Sequence, residues 1–147
     1  MNKPILVASG ISKSFKASRG FLKAPLQIQA LENISFSLSE AETLAIVGET
    51  GSGKTTLARI LTGLESMDQG LLLLNGKSVT YRNNSKQLHQ KIRLIFQNPG
   101  RTLNPKLSIR KTLLQPLRAS QTIPSHEYEP RLEAILKKVG LREDQGD

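Results

Sequence analysis

The sequence contains no cysteine, no tryptophan and only 2 histidines among its 147 residues. Without cysteine the chain can form neither a disulfide nor a thiolate metal site, and two histidines are too few for a histidine-rich metal cluster. The longest uninterrupted apolar runs, such as Leu71–Leu74, have four residues, whereas a membrane-spanning helix needs about 20. The N-terminal residues lack the apolar segment of a secretory signal. We therefore expect a cytoplasmic protein without zinc or redox chemistry.

Acidic residues are also scarce: 12 Asp and Glu stand against 21 Lys and Arg, which gives a net charge of +9. The imbalance is concentrated between Gly76 and Arg118, where ten basic residues occur with no Asp or Glu. Such a stretch could attract nucleic acid, anionic lipid or nucleotide phosphates. The alternative is an ordinary solvated face whose acidic counterpart lies elsewhere. The length suits a single domain.

Local patterns predict a strand, a glycine-rich loop and a helix in succession. Ile34, Phe36 and Leu38 alternate with serine, which indicates a strand with one buried face. The continuous apolar run Leu44–Val47 is typical of a strand covered on both faces. After the glycine-rich residues 48–55, apolar residues recur at helical spacing at Leu57, Ile60, Leu61 and Leu64.

The rest of the chain predicts a hairpin, a strand and two helices. Asn75-Gly76 between Leu71–Leu74 and Val79–Tyr81 favours a tight turn, and Ile92, Leu94 and Phe96 indicate a strand. Ser108 can cap a helix with Ile109, Leu113 and Leu114 inward, interrupted near Pro116. A last helix is predicted over Glu127–Val139, with Leu132, Ile135, Leu136 and Val139 on one stripe and Gly140 as its C-terminal cap.

Residues 48–55 match the phosphate-loop pattern G-x-x-x-x-G-K-[ST] at every fixed position. Gly51 and Gly53 allow backbone N–H groups to point inward as an anion site at a helix N-terminus. Lys54 adds a cation for the β- and γ-phosphates, the Thr55 hydroxyl can bind Mg²⁺, and Thr56 adds a hydroxyl near the α-phosphate. We therefore expect a nucleoside triphosphate site rather than a glycine-rich turn with an incidental Lys-Thr pair. The loop residues expected to contact the nucleotide are Gly48, Glu49, Thr50, Gly51, Ser52, Gly53, Lys54, Thr55 and Thr56.

Beyond the loop, the chain resembles the ATP-binding subunits of ABC transporters of the peptide-transport class, which includes oligopeptide, dipeptide and, above all, Sap systems. The resembling segments are Ile11–Phe15, Ala30–Phe36, the phosphate loop, Ile92–Pro99 and Leu103–Pro105. The resemblance implies an α/β P-loop NTPase fold of the ABC ATPase type with an N-terminal antiparallel β subdomain. It places the β subdomain and P-loop core over about 1–98 and the start of a helical subdomain over about 99–147.

The same resemblance implies roles for two residues outside the loop. Phe15 matches the aromatic that stacks on adenine, and stacking on a base is worth about 1 to 3 kcal/mol; the alternative is an ordinary core aromatic. Gln97 matches the glutamine that reaches Mg²⁺ and the attacking water. The expected ligands are ATP and Mg²⁺. The expected partners are membrane-spanning permease subunits and a second ATP-binding subunit, with the protein peripheral on the cytoplasmic face of the inner membrane and no specific nucleic acid bound.

Some positions depart from the family pattern. Ala41 stands where the family usually has glycine, so a positive φ there would be strained; Met67 and Leu71 replace a usual proline and glutamate. The sequence also contains no Leu-Ser-Gly-Gly-Gln signature, no apolar strand followed by Asp-Glu and no switch histidine, since His89 and His126 follow no apolar run. We therefore expect the chain to be the front part of the domain, to bind Mg-ATP weakly and not to hydrolyse it at a meaningful rate.

Other readings compete with this one. A nucleic-acid-binding P-loop protein would use the basic stretch, although only Tyr81 and Phe96 supply aromatic rings there. A GTPase would need Asn-Lys-x-Asp, which the sequence lacks. A non-functional remnant of a longer gene is the third. Because Leu44–Val47 would lack flanking strands, we expect low solubility and a broad unfolding transition.

Overall fold

The computed structural model describes residues 3–20, 25–79, 88, 91–97, 100, 103–120 and 122–142. The chain divides into two compact units, Met1–Leu94 and Ile95–Asp147. Among the described residues, the first contains an antiparallel sheet and a helix over Lys54–Leu61, and the second contains helices over Ile109–Ser120 and Tyr128–Lys138. Each unit has its own cluster of buried side chains.

The sheet of the first unit has four strands in the order β2-β1-β3-β4, and every pair is antiparallel. The strands are β1 (Pro4–Ala17), β2 (Leu26–Ser39), β3 (Gln69–Leu74) and β4 (Lys77–Ser78). Leu6, Ala8 and Ile11 of β1 are buried against Leu72 of β3. The antiparallel β subdomain that the family resemblance implies is therefore present.

The turn between β3 and β4 is the predicted two-residue hairpin. Asn75 and Gly76 have φ values of 52 and 74, and Leu74 pairs directly with Lys77. Both central residues thus adopt the positive φ that a type I′ turn requires. The sequence predicts the second strand of the hairpin over Val79–Tyr81, but it comprises Lys77–Ser78. Val79 follows it and is buried. Residues 80 and 81 lie outside the described residues.

Helix α1 (Lys54–Leu61) follows the phosphate-loop sequence, as the pattern predicts. Leu57 and Ile60 are buried in the core of the first unit, with Leu61 packed against it. The helix ends before Leu64, which is exposed. Its end is a Schellman motif in which Leu64 N–H donates to Arg59 O at 2.8 Å and Gly63 N–H to Ile60 O at 3.0 Å.

Two predicted strands are wrong. Residues 42–49 and 92–96 contain no strand, and Val47 and Ile95 are 87% and 88% exposed. A strand needs a neighbour to satisfy its N–H and C=O groups, and none of the described strands lies beside either segment. The Ile92 N–H donates instead to Leu88 O at 2.7 Å, a helical bond. No parallel strand pair occurs among the described residues.

The second unit pairs α2 (Ile109–Ser120) with α3 (Tyr128–Lys138), which follows a 3₁₀ turn at Ser125–Glu127. Ser108 caps α2 as predicted, because its Oγ accepts from Lys111 N–H at 3.2 Å. Contrary to expectation, α2 continues past Pro116; Leu114 and Leu117 on either side of the proline pack in the same apolar cluster and hold the last turn in place.

The apolar stripe of α3 is narrower than the sequence predicts. Leu132 and Leu136 are fully buried beside Leu114, but Ile135 and Val139 are exposed, as is Ile109 at the start of α2. Two helices alone bury only one line of side chains on each, so the flanking positions remain in water. Gly140, with φ 77, ends α3 as predicted, and Leu141 N–H donates to Leu136 O at 2.9 Å.

Arg110 of α2 pairs with Glu129 of α3, and Arg131 pairs with Glu127 at 2.7 Å. Arg110 belongs to the basic stretch, so one of its charges is paired with an acid later in the chain. No helix within the described ranges is both long enough and apolar enough to span a bilayer.

Ala41 confirms the strain expected at a position where glycine is usual. It has φ 60, in a turn where Glu42 N–H donates to Ser39 O at 3.3 Å. The left-handed conformation costs a residue with a Cβ roughly 1 to 2 kcal/mol. Glycine avoids this strain, but it loses more conformational entropy on folding, which offsets part of the gain. We predict that Ala41→Gly stabilises the chain by about 1 kcal/mol. Urea unfolding followed by circular dichroism measures this, with Ala119→Gly in exposed helix α2 as the control, which should destabilise.

Candidate functional site

The phosphate-loop sequence forms an open turn that leads into α1. The first helical hydrogen bond runs from Leu57 N–H to Gly53 O at 2.9 Å, so the N–H groups of Lys54, Thr55 and Thr56 precede it and have no helical acceptor. Within the loop, Ser52 N–H donates to Glu49 O at 3.2 Å. The loop therefore presents free backbone donors at the positive end of a helix, the arrangement that binds phosphate.

The ammonium group of Lys54 is folded back into the loop. Its Nζ donates to Gly48 O at 2.8 Å and to Glu49 O at 2.6 Å, and it contacts Ser52 Oγ at 3.3 Å. Among the described residues no carboxylate pairs with it. A full positive charge thus lies among neutral acceptors beside the free N–H groups, where an anionic ligand gains from both.

Gly53 is where the loop packs against the sheet. In the β1–β2 ladder Lys13 pairs with Leu31 and Ser14 with Gln29, so Ala30 is the extra residue of a β-bulge. A Cβ at Gly53 would lie 2.3 Å from Ala30 O and 2.8 Å from Leu31 Cδ2, and Gly53 has φ 90. Both the backbone conformation and the close approach require glycine at this position.

Phe15 lies near this contact, on the neighbouring part of the sheet. It pairs with Ile28 and is 39% exposed. Ile28 is two residues from Ala30, a separation of about 7 Å along a strand. The exposed Phe15 ring thus lies on the part of the sheet that the phosphate loop contacts through Ala30.

Lys13 is a residue whose surroundings the sequence reasoning missed. It is 7% exposed, and its Nζ lies 3.1 Å from Glu65 Oε1, 3.3 Å from Asp68 Oδ1 and 3.2 Å from Ser66 Oγ. The same Nζ lies 5.2 Å from the centroid of the Phe15 ring. The alternation of side chains along the strand could have revealed it. Lys13 lies two residues after Ile11 and so points to the same, buried face of β1, where an unpaired charge would be costly.

The charges of this cluster stabilise one another. Burial lowers the pKa of Lys13, but its hydrogen bonds to Glu65 and Asp68 outweigh that effect and raise the pKa above its ordinary value. The hydrogen bond from Lys13 lowers the pKa of Glu65, and the backbone N–H of Ser14 is the largest cause of the lowered pKa of Asp68. All three groups are therefore charged near neutral pH.

These shifts predict an acid-sensitive fold. A carboxylate whose pKa is lowered in the folded state adds stability above its ordinary value, 4.5 for Glu65 and 3.8 for Asp68, and this stability is lost as the pH falls through the lowered pKa. We expect the urea midpoint to fall between about pH 6 and about pH 3. Asp68→Asn should reduce that fall, whereas Glu133→Gln on exposed α3 should not. An equal pH dependence in wild type and Asp68→Asn would contradict the assignment.

Thr55, Gln97 and the two histidines are the other residues that the sequence reasoning considered. Thr55 is exposed at the first turn of α1, where its hydroxyl would supply one oxygen ligand to Mg²⁺. Gln97 is exposed in the second unit, and its role stays a prediction. His126 is exposed, and His89 lies outside the described residues.

Comparison with known proteins identifies the class to which this loop belongs. The sequence profile of the ABC transporter family matches residues 31–147. The chain belongs to the ABC transporter family. This match covers the phosphate loop, the region of Gln97 and both helices of the second unit, and it is the family implied by the sequence motifs.

Curated ABC family relatives carry peptide-transport names. The chain is 36% identical to the di/tripeptide transport ATP-binding protein DppF of Pseudomonas aeruginosa, over 94% of this chain and 43% of that protein. It is 35% identical to the peptide transport system ATP-binding protein SapF of Salmonella typhimurium, over 98% of this chain and 53% of that protein. The chain thus spans about half the length of the curated relatives it matches.

Solved structures of ABC cassettes share the fold. The dimeric ATP-binding cassette MJ0796, bound to ADP and Pi, matches with a TM-score of 0.72 at 24% identity, over 96% of this chain and 60% of that one. The cassette cbiO1 of Clostridium perfringens, part of the transporter complex cbiONQ, matches with a TM-score of 0.66 at 23% identity. The ABC ATPase fold class predicted from the sequence is confirmed.

Proposed function

We propose that the chain binds Mg-ATP as the N-terminal part of the nucleotide-binding subunit of a peptide-type ABC transporter. The observation that carries this proposal is the loop itself: the Lys54 ammonium and the free N–H groups of Lys54, Thr55 and Thr56 converge at the start of α1. Peptide-transport relatives at about 35% identity support the transporter class.

Different groups of the loop would bind different parts of a triphosphate. The backbone N–H groups at the start of α1 would bind phosphate oxygens, and Lys54 would exchange its carbonyl acceptors for the β- and γ-phosphates. The Thr55 hydroxyl would hold Mg²⁺, which when bound neutralises phosphate charge. Phe15 would stack on the adenine through its exposed face. The contact of Gln97 with Mg²⁺ and the attacking water, which the family resemblance implies, stays a prediction.

Binding and hydrolysis are separable in this chain. The loop supplies positioning and positive charge, but hydrolysis also needs a group that orients the attacking water. The sequence holds no carboxylate directly after an apolar strand segment, and Gln97 is the residue that matches a family position near the attacking water. We therefore infer that the 147-residue chain binds ATP without appreciable turnover, and that hydrolysis belongs to a longer subunit.

The partners follow from the same assignment. A dimeric cassette and a cassette within a transporter complex are among the structures that share this fold. We infer that the complete subunit pairs with a second ATP-binding subunit and with permease subunits, on the cytoplasmic face of the inner membrane. Coupling of ATP binding and hydrolysis to transport would then be a property of that assembly.

Isothermal titration of the chain with Mg-ATP tests the binding proposal. Lys54→Ala should weaken binding by about 10- to 100-fold, because a charge-assisted hydrogen bond is worth about 1.5 to 3 kcal/mol. Lys106→Ala, an exposed lysine of the second unit, should leave it unchanged. Wild type without measurable affinity, or equal affinities in wild type and Lys54→Ala, would overturn the proposal. Phosphate release well above that of Lys54→Ala would overturn the inference about turnover.

A further inference from the structure

We propose that Lys13 is a positioning residue for the base of the nucleotide, acting through Phe15. The proposal rests on the proposed function, since it assigns a role within that same nucleotide site. It concerns a buried cation on the sheet rather than the phosphate loop. The observations that carry it are the contacts of the Lys13 ammonium and the way the segment following α1 is tied to β1.

The ammonium of Lys13 has a defined position over one ring. It lies 5.2 Å from the Phe15 centroid, within the range of a cation–π interaction, while Phe15 itself remains 39% exposed. Two carboxylates and the Ser66 hydroxyl fix the same Nζ at 3.1 to 3.3 Å. The cation therefore restrains the Phe15 ring and leaves part of it open for stacking.

Asp68 is held by the backbone of β1, so the lysine has little freedom to move. The β1–β3 ladder ends at the pair Ser12 and Gln69. Beyond that pair, Asp68 continues the hydrogen bonding to β1 through its backbone and its side chain. Asp68 N–H donates to Ser12 O at 2.9 Å, and its Oδ2 accepts from Ser14 N–H at 2.8 Å and from Ser14 Oγ at 3.0 Å. The carboxylate that holds Lys13 is thereby part of the sheet.

Glu65 ties the lysine to α1. The N–H groups of Leu64 and Glu65 both donate to Arg59 O, at 2.8 Å and 3.2 Å, which fixes Glu65 directly to the last turn of the helix. Helix α1 thus begins at the phosphate loop, and the turn that follows its last residue leads to Glu65, a carboxylate partner of Lys13. The spacing between the phosphate site and the Phe15 ring is set by this helix together with the Gly53–Ala30 contact.

The test compares a ligand that has a base with one that lacks it. We expect Lys13→Met to weaken ATP binding by about 3- to 10-fold, the range of a partly buried cation–π contact. Its affinity for inorganic tripolyphosphate should stay within about twofold of wild type, because the phosphate loop is untouched. Lys13→Arg should restore most of the ATP affinity. Lys16→Met, an exposed lysine of the same strand, is the matched control and should change neither ligand.

Each result decides the proposal. An equal loss for ATP and tripolyphosphate would show a purely structural role for Lys13 and overturn it, as would an unchanged ATP affinity. Phe15→Ala combined with Lys13→Met should lose little more ATP affinity than Phe15→Ala alone; additive losses would contradict action through the ring. If Lys13→Met does not fold, Glu65→Gln serves in its place and should weaken ATP selectively. Failure of wild type to bind either ligand would instead refute the proposed function.

Discussion

Replacing Gly53 with alanine is expected to cost about 3 to 5 kcal/mol of unfolding free energy, adding a strained positive φ to a steric overlap. Gly53 has φ 90, and a new Cβ would lie 2.3 Å from the backbone oxygen of Ala30. Neither the bulge of β2 nor the start of α1 can retreat without breaking hydrogen bonds. The same change should abolish ATP binding, since it displaces the loop from the sheet.

Gly51 provides the matched control within the same loop. It also has a positive φ, 86, but a Cβ there would meet no atom within 4 Å. Gly51→Ala should therefore cost only the conformational strain, about 1 to 2 kcal/mol. Urea unfolding monitored by circular dichroism measures both variants. Equal destabilisation by the two substitutions would show that the contact between Gly53 and Ala30 contributes nothing.

Leu136→Ala is expected to destabilise the second unit by about 2 to 5 kcal/mol, the usual range for a fully buried leucine. Leu136 has 0% exposure and packs with Leu132 and Leu114, and these are the three buried residues of this cluster in the described part of the chain. Because so small a core contributes little stabilisation in total, we expect the α2–α3 pair of the variant to unfold at physiological temperature. Tyr128 packs against the cluster, and its fluorescence reports the transition.

The adjacent residue separates burial from helix propensity. Ile135 is on the same helix but 41% exposed, so Ile135→Ala should change the stability by less than about 1 kcal/mol. Both substitutions introduce alanine in mid-helix. A loss as large for Ile135→Ala as for Leu136→Ala would mean that the stripe predicted from the sequence, not the narrower one in the structure, forms the core.

Elements that depend on local sequence could be predicted, and those that depend on distant partners could not. The turn at Asn75-Gly76, the start of α1 and the Gly140 cap are set by residues within one turn of each other. Leu44–Val47 has an equally clear strand pattern, yet no described strand pairs with it. A ladder is a property of two segments, so composition at one of them cannot guarantee it.

The candidate site shows the same division. The loop pattern alone predicts Gly53, Lys54 and Thr55 as site residues, because each predicted role follows from position within eight residues. Phe15 required a family resemblance, and its neighbour Lys13 was missed, because its partners Glu65 and Asp68 lie more than fifty positions away in the chain. A charged residue in the buried register of a strand was the signal that could have revealed the pairing.

The missing ladder beside the phosphate loop has a thermodynamic consequence. The downstream arm of the loop is anchored by α1 and by Ala30, whereas Val47 on the upstream arm is 87% exposed and no described strand lies beside it. A phosphate that takes the Lys54 ammonium would remove the hydrogen bonds to Gly48 O and Glu49 O that hold this arm, and that loss would subtract from the ligand's affinity. Linkage makes this reciprocal: any polypeptide that pairs with Leu44–Val47 would preorganise the loop, so strand pairing and nucleotide binding would strengthen each other.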